Sequence, residues 1–338
     1  MSTSLPTLTP GDFTSDQEAR WCPGCGDFSI LAQMKKVLAD LRVPRENLVF
    51  LSGLGCAGRL PHYLSTYGFH GSLGRAPALA TGLKLANPDL QVWVVSGDGD
   101  ALSVGTNHLV HALRRNVDVK IILINNEVLG LSKGQASPTS RPGTRTKSSP
   151  DGSFETPLRP LSLALAAEAT FVATFVARTI DVDVNHMSEM LERAAAHQGA
   201  ALVEIYQNCK IFNDGVFEYA TDTMLKADSI IYLEHGRPLL FGKDRNQGLR
   251  LNGFEPEVVT LGHGITIDDV MIHDEKAVEP TLAFLLSRLV GPAFPECLGV
   301  FRSVQRPTFE QALDEARGHR PVRSLQALLT GDESWLVG

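Results

Sequence analysis

The chain has 338 residues, 43% of them hydrophobic, which is enough to bury a sizeable core in one large domain or two smaller ones. A net charge of −7 with scattered basic residues argues against a nucleic-acid-binding protein. The first twenty residues lack the apolar core of a signal peptide, and the longest apolar stretch, 161–180, contains Glu168 and Arg178. We therefore expect a cytoplasmic protein without a membrane span.

Predicted strands and helices alternate along the chain, which favours an α/β fold with a parallel sheet. Strand-like runs cover 48–51, 91–96, 119–124, 174–178 and 201–206, and helical segments cover 79–86, 101–115, 161–169 and 184–197. Residues 137–160 are rich in Ser, Thr, Pro and Gly and predict a long loop that covers a site. Residues 226–338, with one apolar helix at 280–289, are interpreted as a C-terminal extension that follows a first domain of residues 1–225.

Polar residues follow two of these strands. Gly97-Asp98-Gly99-Asp100 comes after 91–96, and Asn125-Asn126 comes after 119–124. Because a helical crossover would make the strands parallel neighbours, Asp98 and Asn126 would end side by side. One carboxylate, one amide oxygen and a nearby carbonyl would bind Mg²⁺ and leave positions for phosphate oxygens, and a helix N-terminus after Gly99 would add N–H groups. The alternative is a simple turn and a strand cap, but the combined register favours a Mg–diphosphate site.

The cysteines are the second candidate site. They are Cys22, Cys25, Cys56, Cys209 and Cys297, and in a cytosolic chain they favour metal binding or catalysis over disulfides. The Cys22-Pro-Gly-Cys25 turn suits metal or cluster ligation, because the polar residues 14–20 before it do not form the strand of a redox motif. Cys56 and Cys209 each follow a strand-like run, which leaves a shared site and a buried apolar role both open. Cys297 lacks such a setting.

Gly53–Gly58 also matches the dinucleotide pattern G-x-G-x-x-G. That pattern requires an acidic residue about 20 positions later. Residues 71–82 contain no acid, so we do not expect a NAD site.

Six blocks of sequence together resemble the β subunit of 2-oxoacid:ferredoxin oxidoreductases, most closely the 2-oxoglutarate type. The blocks are WCPGCG (21–26), GLGCAGRLP (53–61), HGSLGRAPALATGLKLANP (70–88), GDGDALSVGTNHLVHALRRN (97–116), NNEVLGLSKGQASPT (125–139) and EIYQNCKIFND (204–214). The resemblance implies a doubly wound, mostly parallel thiamine diphosphate-binding fold with Mg²⁺ and one [4Fe–4S] cluster.

Transferred by position, the resemblance also implies the ligands of both groups. The cluster ligands would be Cys22, Cys25, Cys56 and Cys209, and the Mg²⁺ ligands would be Asp98, Asn126 and the backbone of Val128. The loops around the cofactor would add Gly55, Gly97, Gly99 and Asp100.

The implied reaction is oxidative decarboxylation of 2-oxoglutarate with coenzyme A to succinyl-CoA and CO₂, with electrons passing through the cluster to ferredoxin. In such enzymes the α subunit carries the pyrimidine-binding module and its Glu, in an (αβ)₂ assembly. We therefore expect this chain to be inactive alone.

Candidate cations for substrate carboxylates are Arg59, His70, Arg75 and Lys133. Lys133 is singled out because many relatives that prefer pyruvate or branched substrates lack a Lys there, although an isolated loop Lys can also be a solvated surface residue. Other functions remain open: a subunit acting on pyruvate or another 2-oxoacid, a non-oxidative thiamine-dependent decarboxylase with structural zinc, or a redox or zinc-binding interaction protein.

Overall fold

The computed structural model describes residues 8–166, 173–318, 324–331 and 335. The α-helices are α1 Asp27–Asp40, α2 Ala76–Ala86, α3 Asp98–Leu102, α4 Thr106–Arg114, α5 Pro160–Ala166, α6 Val184–Ala196, α7 Glu218–Thr221, α8 Lys226–Ser229, α9 Thr281–Ser287, α10 Phe309–Arg317 and α11 Leu325–Leu329. The strands are β1 Leu48–Ser52, β2 Tyr67–His70, β3 Gln91–Gly97, β4 Val119–Asn125, β5 Val128–Leu129, β6 Gln135–Ala136, β7 Phe175–Ile180, β8 Ala201–Tyr206, β9 Ile230–Leu233, β10 Leu240–Phe241, β11 Gln247–Asn252, β12 Glu255–Thr260 and β13 Glu296–Ser303. Among the residues described, no helix combines the length and the apolar character needed to cross a bilayer.

The central element is an eight-stranded sheet in the order β2-β1-β3-β4-β8-β7-β13-β9. Its neighbouring strands run parallel except for β13 and β7, which are antiparallel. Every residue of β4, β7 and β8 is buried, because helices cover both faces of the sheet. The predicted mostly parallel α/β sheet is confirmed.

Two hydrophobic cores lie on opposite faces of this sheet, which makes the fold doubly wound. On one face, alternate side chains of β1 and β3 such as Phe50 and Trp93 pack with helices α1 and α6. On the other face, residues such as Leu51 and Val94 pack with α2, α4, α5 and α9. The strand period of two residues therefore supplies both cores from the same strands.

The crossover between β3 and β4 differs from the single helix predicted over 101–115. It consists of two helices, α3 and α4. The helix breaks between them because Ser103 has ψ −90°, outside the helical region. Gly105 donates its N–H to the Asp100 carbonyl (3.2 Å) within this break. A Cβ added at Gly74 would lie only 2.4 Å from Gly105 N. The 71–75 loop can therefore pack this closely against the break only because residue 74 is a glycine.

The segment after residue 225 contributes to the main sheet. Strand β9 pairs in parallel with β13, and β13 pairs with β7. The remainder includes a three-stranded antiparallel sheet, β10-β11-β12, and helix α9, which lies within the predicted 280–289 helix. The predicted domain boundary at 225/226 thus separates strands of one sheet and stays a prediction. Of the predicted helix 161–169, residues 160–166 are helical and 167–169 lie outside the described residues.

Candidate functional site

The carboxyl edge of β3 and β4 brings the predicted Mg²⁺ ligands together. Gly97, the last residue of β3, pairs with Ile124 of β4, so Asp98 and Asn126 follow the paired positions within two residues. Both side chains are buried. The parallel pairing predicted from sequence is therefore present, and it places a carboxylate and an amide at the same edge.

The Asp98 carboxylate is held by two hydroxyl groups of the loop that starts at residue 137. Ser137 Oγ and Thr139 Oγ1 donate to Asp98 Oδ2 at 2.6 and 2.5 Å. Burial raises the pKa of Asp98 to about 6, and these hydrogen bonds only partly offset the effect. A divalent cation would favour the ionised carboxylate, so the environment of Asp98 fits a metal ligand. The resemblance block 125–139 included both hydroxyl residues, but nothing in the sequence indicated their role.

Asn126 and Val128 form the other side of this edge. Asn126 Oδ1 accepts a hydrogen bond from Val128 N (3.2 Å), and Asn126 Nδ2 donates to Gln207 Oε1 (2.7 Å). Asn213 Nδ2 donates a hydrogen bond to the Asn126 backbone carbonyl oxygen, at 2.9 Å. Carboxylate, amide and backbone oxygens are ligands that Mg²⁺ accepts, so this set fits a Mg–diphosphate group.

Asp100 has a different environment from the one we expected for a cofactor-binding residue. Its Oδ1 accepts hydrogen bonds from Gly74 N (2.6 Å) and Leu54 N (3.2 Å), and its Oδ2 accepts one from Ser96 Oγ. A Cβ added at Gly53 would lie 2.0 Å from Asp100 Oδ2, so only glycine fits there. The carboxylate therefore joins two loops to the end of β3, and direct contact of Asp100 with a cofactor stays a prediction.

Four of the five cysteines line one cavity of about 230 Å³. Cys22 and Cys25 come from the loop before α1, Cys56 from the loop after β1 and Cys209 from the loop after β8. A Cβ added at Gly130 would lie 3.5 Å from Cys56 Sγ and 3.7 Å from Cys209 Sγ. Four sulfurs around one cavity fit the donor set of an iron–sulfur cluster. Cys297 instead lies fully buried in β13.

Hydrogen bonds and burial shape this cavity, which we call the cysteine pocket. Gln207 Nε2 donates to Cys25 Sγ at 3.1 Å, and Trp21 Nε1 donates to the Cys56 carbonyl at 2.9 Å. Burial and the charge of Asp27 raise the pKa of the Cys25 thiol, and the same causes raise the pKa of Cys56 to about 11. Ligation requires thiolates, so cluster binding there would release protons. Asp27 and Gln207 were missed at the sequence level.

The cysteine pocket is adjacent to the carboxyl edge of β3 and β4 where Asp98 and Asn126 lie, which we call the diphosphate edge. Strands β1 and β3 are parallel neighbours, and a Cβ added at Gly97 would lie 3.8 Å from Ala57 Cβ. Asn126 lines the cysteine pocket. Residues 53–58 and 97–99 therefore lie at the same edge of the sheet. Within the described ranges, no group of three or more His, Cys, Asp or Glu meets the geometry of a metal site.

The predicted substrate-binding cations fall into two places. Arg59 and Lys133 line the cysteine pocket. His70 ends β2, where its Nδ1 lies 3.0 Å from His62 Nε2, and Arg75 Nη1 donates to the Leu73 carbonyl at 3.4 Å. The structure therefore brings together Arg59 and Lys133, and it places His70 at the end of β2 and Arg75 directly before α2, outside this pocket.

A larger cavity of about 790 Å³ lies between the sheet edge and the segment after residue 225. Its lining includes a buried ion pair in which Arg178 Nε donates to Glu204 Oε2 at 2.7 Å. Asn125 Nδ2 donates to Glu204 Oε1 (2.8 Å), and Thr139 Oγ1 lies 3.2 Å from Asn125 Oδ1. Since Thr139 also contacts Asp98, a polar network connects this cavity with the diphosphate edge. Arg178 and Glu204 pair across β7 and β8, which sequence inspection could not foresee.

Comparison with known families defines the class of protein. Residues 53–205 match the family described as "Thiamine pyrophosphate enzyme, C-terminal TPP binding domain". This segment contains Cys56 and the two residues of the diphosphate edge, Asp98 and Asn126. The chain thus carries a thiamine diphosphate-binding domain, as the resemblance implied.

Individual relatives narrow the class. The 2-oxoglutarate oxidoreductase subunit KorB of Mycobacterium tuberculosis is 50% identical over 333 residues, 96% of this chain and 88% of that protein. The beta subunit of 2-oxoacid:ferredoxin oxidoreductase 1 of Aeropyrum pernix is 46% identical over 194 residues, 57% of this chain and 60% of that protein. A solved structure titled as the 2-oxoglutarate:ferredoxin oxidoreductase from Magnetococcus marinus with 2-oxoglutarate, coenzyme A and succinyl-CoA bound matches with a TM-score of 0.73 at 30% identity, covering 93% of this chain and 91% of that one.

This chain belongs to the family of 2-oxoacid oxidoreductase β subunits that includes KorB. It is therefore a subunit of an oxidoreductase that acts with a partner subunit. The family and the fold implied by the six sequence blocks are confirmed.

Proposed function

We propose that this chain is the β subunit of a 2-oxoglutarate:ferredoxin oxidoreductase that forms succinyl-CoA and CO₂ from 2-oxoglutarate and coenzyme A. The observation that carries the proposal is the cysteine pocket beside the diphosphate edge, with Asn126 common to both. A non-oxidative decarboxylase needs no electron acceptor next to its cofactor. The names of the Mycobacterium tuberculosis and Magnetococcus marinus proteins support 2-oxoglutarate over pyruvate as substrate.

In this proposal each group of residues has a distinct task. Asp98, Asn126 and the Val128 carbonyl hold Mg²⁺ and the diphosphate, and Cys22, Cys25, Cys56 and Cys209 hold one [4Fe–4S] cluster. Thiamine diphosphate supplies the carbanion chemistry when bound, and the protein supplies orientation and electrostatics.

Lys133 and Arg59 are the proposed partners of substrate carboxylates. Both line the cysteine pocket, and Lys133 is exposed. A charge-assisted hydrogen bond from Lys133 would recognise the second carboxylate, which 2-oxoglutarate has and pyruvate lacks. His70 and Arg75 remain candidates of lower rank because they lie outside the cysteine pocket, His70 at the end of β2 and Arg75 directly before α2.

The partner is an α subunit that supplies the pyrimidine-binding module and its Glu, in an (αβ)₂ assembly with ferredoxin as electron acceptor. The test is an anaerobic assay of succinyl-CoA formation with the chain alone, with the α subunit alone and with both. We expect turnover of 2-oxoglutarate only with both subunits. Turnover by this chain alone, or a preference for pyruvate by the complex, would contradict the proposal.

A further inference from the structure

Residues 137–141, which we call the clamp segment, contact the predicted Mg²⁺ ligands from two sides. Two hydroxyl groups of the segment donate to Asp98 Oδ2, as described above. A third hydroxyl, Ser140 Oγ, donates instead to the Glu127 backbone carbonyl at 2.6 Å, and it accepts a hydrogen bond from Ser137 N at 2.8 Å. The clamp segment therefore connects Asp98 with the turn that follows β4.

Glu127 is the central residue of this turn, between Asn126 and Val128, the other two predicted ligands. Its φ of 57° lies in the left-handed region, which residues other than glycine rarely adopt. Such a conformation persists only where surrounding contacts hold it. Besides the hydrogen bond from Ser140, Glu127 N donates to Asn125 Oδ1 at 3.2 Å. The direction of the Val128 carbonyl therefore depends on contacts made by the residue before it.

Arg141, the last residue of the clamp segment, adds an ion pair to these contacts. Its Nε lies 3.2 and 3.0 Å from the two carboxylate oxygens of Glu127, whose side chain is 12% exposed. Its Nη2 donates to the Val216 carbonyl at 2.8 Å, and its guanidinium carbon lies 5.8 Å from the centre of the Tyr219 ring. An ion pair contributes little when both side chains move freely on a surface. Here the contacts with Val216 and Tyr219 hold the guanidinium in place.

We propose that Glu127 and Arg141 are positioning residues for the Mg–diphosphate group. Through the clamp segment, their ion pair fixes the Asp98 carboxylate and the Val128 carbonyl relative to each other before the cation binds. Neither Glu127 nor Arg141 has to touch the cation, because residues that orient metal ligands typically change metal affinity by roughly tenfold to hundredfold. This inference rests on the proposed function, since it requires the Mg²⁺ and thiamine diphosphate assigned there.

The test uses the α–β complex freed of its cofactor, and Mg²⁺ is titrated at a fixed, saturating concentration of thiamine diphosphate. Equilibrium dialysis measures the bound cofactor at each Mg²⁺ concentration. We expect Arg141→Gln to raise the apparent dissociation constant of Mg²⁺ roughly tenfold or more. The matched control, Arg145→Gln, removes the same charge from an exposed position of the same loop and should leave the constant unchanged. Ser140→Ala, which removes the hydrogen bond to the Glu127 carbonyl, should also raise it.

Two comparisons distinguish positioning from a general loss of structure. Because either substitution breaks the same ion pair, Glu127→Gln combined with Arg141→Gln should weaken Mg²⁺ binding about as much as Arg141→Gln alone. Turnover of 2-oxoglutarate by Arg141→Gln should return as Mg²⁺ is raised, since the ligands remain and only their affinity falls.

Three results would overturn the inference: an unchanged Mg²⁺ dissociation constant in Arg141→Gln, single-variant effects that multiply in the double variant, or turnover that stays low at saturating Mg²⁺. Failure of the unchanged complex to bind thiamine diphosphate with Mg²⁺ would instead contradict the proposed function.

Discussion

Asp100 offers the most direct test of how the site is assembled. Asp100→Ala removes the acceptor of the Gly74 and Leu54 N–H groups and of the Ser96 hydroxyl. The Gly74 N–H is buried, so leaving it without an acceptor costs about 1–3 kcal/mol. Loss of the hydrogen bond from the Ser96 hydroxyl adds about 1 kcal/mol. Leu54 is exposed, so water can replace its lost partner. We therefore expect the free energy of unfolding to fall by about 2–4 kcal/mol.

Asp100→Asn is the conservative comparison, and Asp89→Ala is the matched control at an exposed position. The Asn side chain keeps one oxygen for the two backbone amides, so the free energy of unfolding should fall by about 1 kcal/mol in Asp100→Asn. Urea denaturation measures the free energies, and hydrogen exchange measures the protection of peptides covering 53–58 and 71–75. Exchange should accelerate in both peptides for Asp100→Ala, less for Asp100→Asn and not for Asp89→Ala.

Unfolding of Asp100→Ala at the same urea concentration as the unchanged chain would contradict this role of Asp100. Uniform loss of protection over the chain would also contradict it, because the side-chain hydrogen bonds given for Asp100 connect these two loops to the end of β3.

Three further predictions follow from buried ionisable groups and from the pocket. Burial raises the pKa of Asp98 from 3.8 to about 6, so its ionised form destabilises the cofactor-free chain by roughly 3 kcal/mol above pH 6 and not below pH 4. Asp98→Asn should therefore stabilise that chain at pH 8 by about 2 kcal/mol after the loss of one hydrogen bond, and equilibrium dialysis should show lost Mg–thiamine diphosphate binding; retained binding would contradict the ligand assignment. Burial lowers the pKa of His197 from 6.5 to about 4, so the chain loses about 3 kcal/mol as the pH falls through this window. His197→Gln should flatten that pH dependence in urea titrations, while the exposed His263→Gln should leave it unaltered. Lys133→Met should reduce the kcat/KM ratio of 2-oxoglutarate to pyruvate by roughly tenfold or more, and an unchanged ratio would show that Lys133 does not select the substrate.

The sequence was most informative where strand ends meet. Asp98, Asn126 and Cys56 all follow apolar strands, and parallel strands necessarily present their carboxyl ends at one edge. The positions of these residues could thus be predicted from spacing alone. Cys209, which follows β8, reaches the same edge for the same reason.

Other parts of the site depend on contacts that spacing does not encode. The hydroxyls of Ser137 and Thr139 reach Asp98 because a long loop folds back over 39 and 41 residues. The break at Ser103 arises from local backbone geometry within an otherwise helical pattern. The segment after residue 225 was predicted to be an extension, yet its eight-residue strand β13 joins the main sheet through pairing with β7, a long-range contact that spacing does not encode.

We propose that Cys22, Cys25, Cys56 and Cys209 hold an iron–sulfur cluster that takes single electrons from the thiamine diphosphate site. The most direct test of this cluster is the metal content and visible absorption of the anaerobically purified chain, compared with those of the Cys56→Ser, Cys209→Ser and Cys297→Ala variants. We expect a brown protein with about four irons per chain, bleached by dithionite, with the iron lost in the first two variants and kept in Cys297→Ala. A colourless protein that contains zinc would show that the four cysteines hold no iron–sulfur cluster.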